Sequence, residues 1–219
     1  MVCISILAGG PMRNGNRRRH LEIKKNKVVI AHVLDACQHK SDKILVVINN
    51  KNIRLHNYIQ QNYPLVEIIP SEDEKMLTTF KHAFKYNDDT LFLAGDLHCI
   101  TSENIDLFLK SKSSCIHKTL TPWGKDLKSK SGLIRRGDVG YAVVKINKDD
   151  IQSFLSLENI TKAKEYYYDF NQKKLNENLG NHVWTWMCYS FFFKISSERN
   201  IPSQYNLLTI KNSIFNDND

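Results

Sequence analysis

Nearly continuous apolar runs at Val2–Leu7, Lys43–Ile48, Val66–Ile69 and Thr90–Ala94 have the pattern of strands covered on both faces. Amphipathic stretches separate them. Val28–Gln38 sets Val29, Ile30, Val33, Leu34 and Cys37 on one helical face, and Ile53–Tyr63 and Glu74–Tyr86 are also expected to be helices. Repeated β-α-β units predict a parallel sheet with right-handed crossovers.

The rhythm changes after residue 100. Ser102-Glu103-Asn104 opens an expected helix through Lys110, with Ser102 as its cap and the nearby carboxylate favouring the positive end of the dipole. Cys115–Thr121 and Gly140–Ile146 predict strands, joined by a Lys/Gly/Ser-rich connection at Trp123–Gly137, and Lys148–Leu157 and Ile160–Tyr168 predict helices. The aromatic-rich stretch Val183–Phe193 reads as core or a homodimer face, and the Asn/Asp-rich end at Asn212–Asp219 as a frayed terminus. No internal repeat or heptad array is present, so a single domain spanning 1–219 is expected.

Composition narrows the class. At 219 residues and 42% hydrophobic, the chain is expected to bury a full core. No apolar run approaches the ~20 residues of a membrane span, and Val2–Ala8 lacks the flanks of a secretory signal, so a cytoplasmic protein without membrane contact is expected. Five scattered cysteines, none in a C-x-x-C pair, predict reduced thiols that fill core space. The net charge of +8, much of it between Arg13 and Lys27, favours an anionic partner: a nucleotide, a sugar phosphate or a nucleic acid. With no recognisable nucleic-acid reading module, the last of these ranks lowest.

Candidate chemistry lies where the apolar runs stop. Leu7-Ala8-Gly9-Gly10 runs into Arg13, Arg17, Arg18 and Arg19; glycine lets backbone approach an anion closely, and guanidiniums bind phosphate oxygens in pairs. The fourth run ends in Gly95-Asp96, a carboxylate suited to magnesium. Ligands of open α/β sheets bind at the carboxyl ends of strands, so these two segments, Asn49-Asn50 and Ser71-Glu72-Asp73-Glu74 are expected to face one crevice. The G-x-G-x-x-G spacing of dinucleotide sites is absent, Pro11 stands where a helix would cradle pyrophosphate, and no Gly-Lys-Ser/Thr of a Walker loop is present. His32, His39 and His182 show no metal spacing and read as packing or surface residues.

Leu7-Ala8-Gly9-Gly10, Arg13-Asn14-Gly15, Arg19-x-Leu21 and Lys27-Val28-Val29-Ile30-x-His32 resemble the opening of nucleotidyltransferases of the molybdenum-cofactor guanylyltransferase-like and sugar-phosphate nucleotidyltransferase type. Gly95-Asp96-Leu97-His98-Cys99-Ile100-Thr101-Ser102-Glu103 is similar to their G-D-x-P-x-x-T-x-E segment, and Arg136-Gly137-Asp138-Val139 to a G-N turn of some members. The resemblance covers about residues 3–146. It implies a three-layer α/β/α fold with a mostly parallel, Rossmann-like sheet of the nucleotide-diphospho-sugar transferase type, with residues 1–100 as the nucleotide-binding half and 101–219 as the acceptor half. It also implies Mg²⁺-dependent transfer of NMP from an NTP to a phosphorylated small-molecule acceptor, with release of pyrophosphate.

Under that resemblance Leu7, Ala8 and Gly9 contact the base and ribose, Gly10 and Asn50 also bind the nucleotide, Arg13 and Arg19 bind the triphosphate, and Asp96 holds the metal. Gly137 and Asp138 fall on the acceptor side, and Asp138 and Asp217 are candidates for a second metal ligand. The sequence departs from the pattern in a spacer one residue shorter before Arg13, in Arg19 for a family Lys, and in His98 for a Pro. Two alternatives stand beside it. One is a catalytically impaired nucleotide-binding relative; the other is a GT-A glycosyltransferase, whose D-x-D occurs here only as Asp217-Asn218-Asp219.

Overall fold

The computed structural model of the chain describes residues 2–9, 19–72, 81–112, 114–118, 143–155 and 207–209. Strand β1 (Val2–Ala8) is followed by a 3₁₀ turn at Arg19–Leu21 and a hairpin of β2 (Ile23–Lys24) and β3 (Lys27–Val28). Next come helix α1 (Val29–Cys37), β4 (Ile44–Asn49), α2 (Ile53–Asn62), β5 (Glu67–Ser71) and β6 (Asp89–Ala94). Helix α3 (Ser102–Leu109), β7 (Cys115–Lys118), β8 (Val143–Ile146), a 3₁₀ turn at Lys148–Asp150, α4 (Ile151–Leu155) and β9 (Leu207–Thr209) complete the described elements.

Seven of the described strands form one sheet in the order β5-β4-β1-β6-β8-β7-β9. The first four are mutually parallel, in the register Ile4↔Ile44 and Ile4↔Leu91 on either side of β1 and Val46↔Ile68 beyond it. The expected fold class is observed. Strand β8, however, inserts antiparallel between β6 and β7, pairing Phe92↔Val144 and Ile116↔Val144. The expected parallel pattern therefore holds for the amino-terminal strands and is broken once beyond them.

The apolar runs are continuous because the sheet is covered twice. On one face Ile4, Ile6, Val46, Ile48, Leu91 and Leu93 pack with Ile30, Val33 and Leu34 of α1, Leu55 and Ile59 of α2, and Ile105 and Phe108 of α3. Ser5 pairs with Phe92 and points to the opposite face, where Phe84 meets Phe92 and Phe154 edge to face at centroid distances of 4.9 and 5.9 Å.

Boundaries shifted in instructive places. Thr101, rather than the expected Ser102, caps α3: its hydroxyl accepts from the Asn104 amide while the Asn104 side chain accepts from the Thr101 amide. Of the helix expected over 74–86, residues 81–83 are helical and 84–86 form a turn, while 73–80 lie outside the described residues. The connection at 123–137, the helix at 160–168, the aromatic stretch at 183–193 and the end at 212–219 also lie outside them. Among the described residues no helix is long and apolar enough to cross a membrane.

Lys145 of β8 is buried, and its ammonium donates to the carbonyls of Leu109 and Ser111 at the carboxyl end of α3, where the helix dipole is negative. Lys145→Met keeps the stem and removes the donor, and should lower stability by about 1–3 kcal/mol in urea unfolding. Burial also pushes the thiols of Cys3 and Cys37 up to about 12 and that of Cys115 up to about 11, from 9.0. A raised thiol pKa keeps its proton in the folded state, so its stabilising contribution is complete below pH 9 and is lost as pH climbs toward the folded value. Unfolding free energy should therefore fall above pH 9 by up to about 1.4 kcal/mol per pH unit for each thiol, and less steeply in Cys37→Ala.

Candidate active site

The chain leaves β1, β4, β5 and β6 at the same edge of the sheet because those strands are parallel neighbours. Gly9 is buried directly after β1, and the Gly95 amide donates to the Leu7 carbonyl at 3.0 Å, so the ends of β1 and β6 are bonded to each other. Asn50 follows β4 as an exposed turn residue whose amide donates to the Ser71 carbonyl of β5 at 3.1 Å. Its neighbour Asn49 is buried and accepts from the Lys51 amide at 2.9 Å, while Asn52 caps α2 through the Leu55 amide at 3.3 Å. Helices α2 and α3 begin from this edge, so the positive ends of their dipoles lie there.

Asp96 owes its position to the residues around it. Beyond β6 the chain turns, with the His98 amide donating to the Asp96 carbonyl at 3.0 Å and the Ile100 amide to the Leu97 carbonyl at 3.1 Å. Leu97 and Ile100 drop back into the core beside Ile105 and Phe108. Full burial of a leucine is worth roughly 2 kcal/mol, enough to pin so short a turn. Asp96 is left half-buried at the rim, one residue from Gly95.

The 3₁₀ turn at Arg19–Leu21 reaches the same rim. The His20 imidazole lies so close to Gly95 that a Cβ there would be 3.0 Å from its Cδ2, and 3.1 Å from the Cβ of Ala8. The hairpin that follows lies over the segment beyond Asp96, where the Lys25 ammonium reaches the Cys99 sulfur at 3.9 Å. It is tied to α1 by His32 Nε2 on the Lys24 carbonyl at 2.9 Å. His32 thus packs, as expected.

Of the residues singled out in the sequence, Leu7, Ala8, Gly9, Asn50, Asp96 and the backbone of Arg19 stand on this edge. Gly10, Arg13, Gly137, Asp138 and Asp217 lie outside the described residues. Two open depressions lie elsewhere: one of about 420 Å³ beside β5, lined by Glu67, Pro70, Lys81, His82 and Lys85, and one of about 250 Å³ at the opposite edge, lined by Val2, Ser41 and Leu109. Neither has the convergent strand ends of the Gly9–Asp96 rim. Among the described residues no three His, Cys, Asp or Glu side chains cluster as a ready metal cage.

His20 and the β2–β3 hairpin went unread in the sequence. The one available signal was His20's place between Arg19 and Leu21, inside the run that carries the family resemblance.

Neither a protein-family model nor a curated protein sequence matches the chain. Solved structures share its fold. The 4-diphosphocytidyl-2C-methyl-D-erythritol synthase of Anaerococcus prevotii is 14% identical, with a TM-score of 0.55 over 77% of this chain and 83% of that one. A cytidylyltransferase from Leptospira borgpetersenii is 16% identical, with a TM-score of 0.52 over 81% of this chain and 71% of that one. The CTP:phosphocholine cytidylyltransferase of Streptococcus pneumoniae is 12% identical, with a TM-score of 0.51 over 81% and 85%.

Leu97→Ala removes the anchor of the Asp96 turn and should cost about 2–5 kcal/mol in denaturant unfolding. A cost below about 1 kcal/mol would show that the turn is held in some other way.

Proposed function

We propose that the chain is a nucleotidyltransferase that joins the NMP unit of an NTP to a phosphorylated small-molecule acceptor. The observation that carries the reading is the gathering of Gly9, the Arg19–Leu21 turn, Asn50 and Gly95-Asp96 at the ends of neighbouring parallel strands. The fold shared with cytidylyltransferases supports it and makes CTP the first triphosphate to test.

In the reaction an acceptor phosphate oxygen attacks the α-phosphorus of the NTP. The new O–P bond forms as the bond to the bridging oxygen breaks, and that electron pair leaves with pyrophosphate. Such a transfer asks for positioning and for cations on the developing charge more than for an acid or base. Gly9, which has no side chain, lets the nucleoside approach the backbone closely, with Leu7 and Ala8 beside it. Arg13 and Arg19 supply bidentate donors to the triphosphate, and Asn50 hydrogen-bonds the nucleotide. Gly137 and Asp138 contribute on the acceptor side.

The donor set at the rim suits Mg²⁺, which is commonly held by one or two carboxylates together with substrate phosphates and water rather than by an all-protein cage. Asp96 would hold it, and the ion would supply neutralisation of phosphate charge. Arg19 in place of a lysine favours a second reading, a nucleotide-binding relative of low turnover, because a planar fork does not reproduce a compact ammonium.

The test is incubation with each NTP, Mg²⁺ and a panel of sugar phosphates and phosphorylated alcohols, with pyrophosphate as readout. Nucleotide binding without pyrophosphate selects the second reading. Asp96→Asn should lower turnover by at least about a hundredfold with an unchanged circular dichroism spectrum. Unaltered turnover in that variant would refute the assignment of Asp96.

A further inference from the structure

His20 has no role in the nucleotidyltransferase reading above, yet its ring is what meets Gly95. A Cβ at residue 95 would lie 3.0 Å from Cδ2 and 3.1 Å from Nε2, closer than the 3.5–4.0 Å or so of ordinary carbon contacts. The backbone at Gly95 is outside the left-handed region, so an alanine there would be opposed by these contacts rather than by its own conformation. The floor under the ring is rigid, because Gly95 is buried and bonded to Leu7, and Ala8 closes the other side. Arg19 precedes His20 and Asp96 follows Gly95, each by one Cα step of about 3.8 Å. The contact therefore ties the backbone that carries Arg19 to the backbone that carries Asp96.

We infer that His20 is a positioning residue: its ring, seated on Gly95, sets the spacing between the backbone at Arg19 and Asp96. The inference rests on the nucleotidyltransferase reading, since the spacing matters only if both groups engage one triphosphate. A cation and a carboxylate-held metal that must grip the same phosphates tolerate little displacement. A misplacement of about 1 Å can cost a hundredfold in rate. A bare glycine at 95 gives the ring a fixed seat without any bond to the substrate.

Steady-state kinetics and melting temperatures of wild type, His20→Ala, Gly95→Ala and the double variant test it. His20→Ala should lower kcat by about tenfold to a hundredfold while the KM for NTP changes by less than about threefold and the melting temperature stays within a few degrees. Gly95→Ala should lower kcat comparably on its own and much less in the His20→Ala background, where the ring is gone and the Ala8 contact remains. Wild-type kcat in His20→Ala, losses that multiply independently, or a kcat loss matched by a collapse in melting temperature would each overturn the positioning role. If Gly95→Ala fails to fold, the kcat-against-KM split of His20→Ala decides alone. A wild-type chain that binds no NTP and releases no pyrophosphate would overturn the nucleotidyltransferase reading itself.

Discussion

Strand β1 is hydrogen-bonded in parallel on both sides, to β4 through Ile4–Ala8 and to β6 through Val2–Leu7. Much of the rest depends on this pairing. Parallel neighbours must all release the chain at the same end, so whatever follows each strand is brought to one rim. The strands are sealed into the core by helices on one face and by Phe84, Phe92 and Phe154 on the other, leaving their ends as the place where polar groups gather. A short turn pinned by Leu97 and Ile100 then holds Asp96 at that rim, and a 3₁₀ turn brings His20 onto Gly95.

The other end of the sheet is held by different means. Lys43 pairs with Asp88 at 2.7 Å, and Glu67 accepts from both Lys85 and Tyr86, which holds its carboxyl below the usual range. These groups are at least partly exposed, and such pairs contribute little individually to stability. Their placement away from the Gly9–Asp96 rim separates surface charge that closes loops from charge assigned to a ligand. The buried Lys145, which ends α3 by bonding its last carbonyls, joins the antiparallel strand β8 to the helix that begins beyond Asp96.

The amino-terminal half was legible because strands buried on both faces must be apolar throughout, and the helices between them show one apolar side. Gly9 and Asp96 could be paired because sheet topology alone brings their strand ends together. The direction of β8 could not be read: Val143-Val144-Lys145-Ile146 has the same pattern run either way. The β2–β3 hairpin escaped notice because its strands are two residues long and its turn places Lys25 and Asn26 at φ of 50° and 60°, without the Asn-Gly or Asp-Gly that usually announces such a turn. The cap of α3 is Thr101 rather than Ser102 because of the residue three positions on. Thr101 puts Asn104 at the third helical position, where its side chain can return the hydrogen bond, whereas Ser102 would put Ile105 there.

A crystal structure with a non-hydrolysable CTP analogue and Mg²⁺ tests the proposed triphosphate site at the Gly9–Asp96 rim most directly. The nucleoside is expected against the Leu7–Gly9 backbone and the ion on the Asp96 carboxylate. A nucleotide seated in the depression beside β5, or an ion on residues remote from β6, would contradict it.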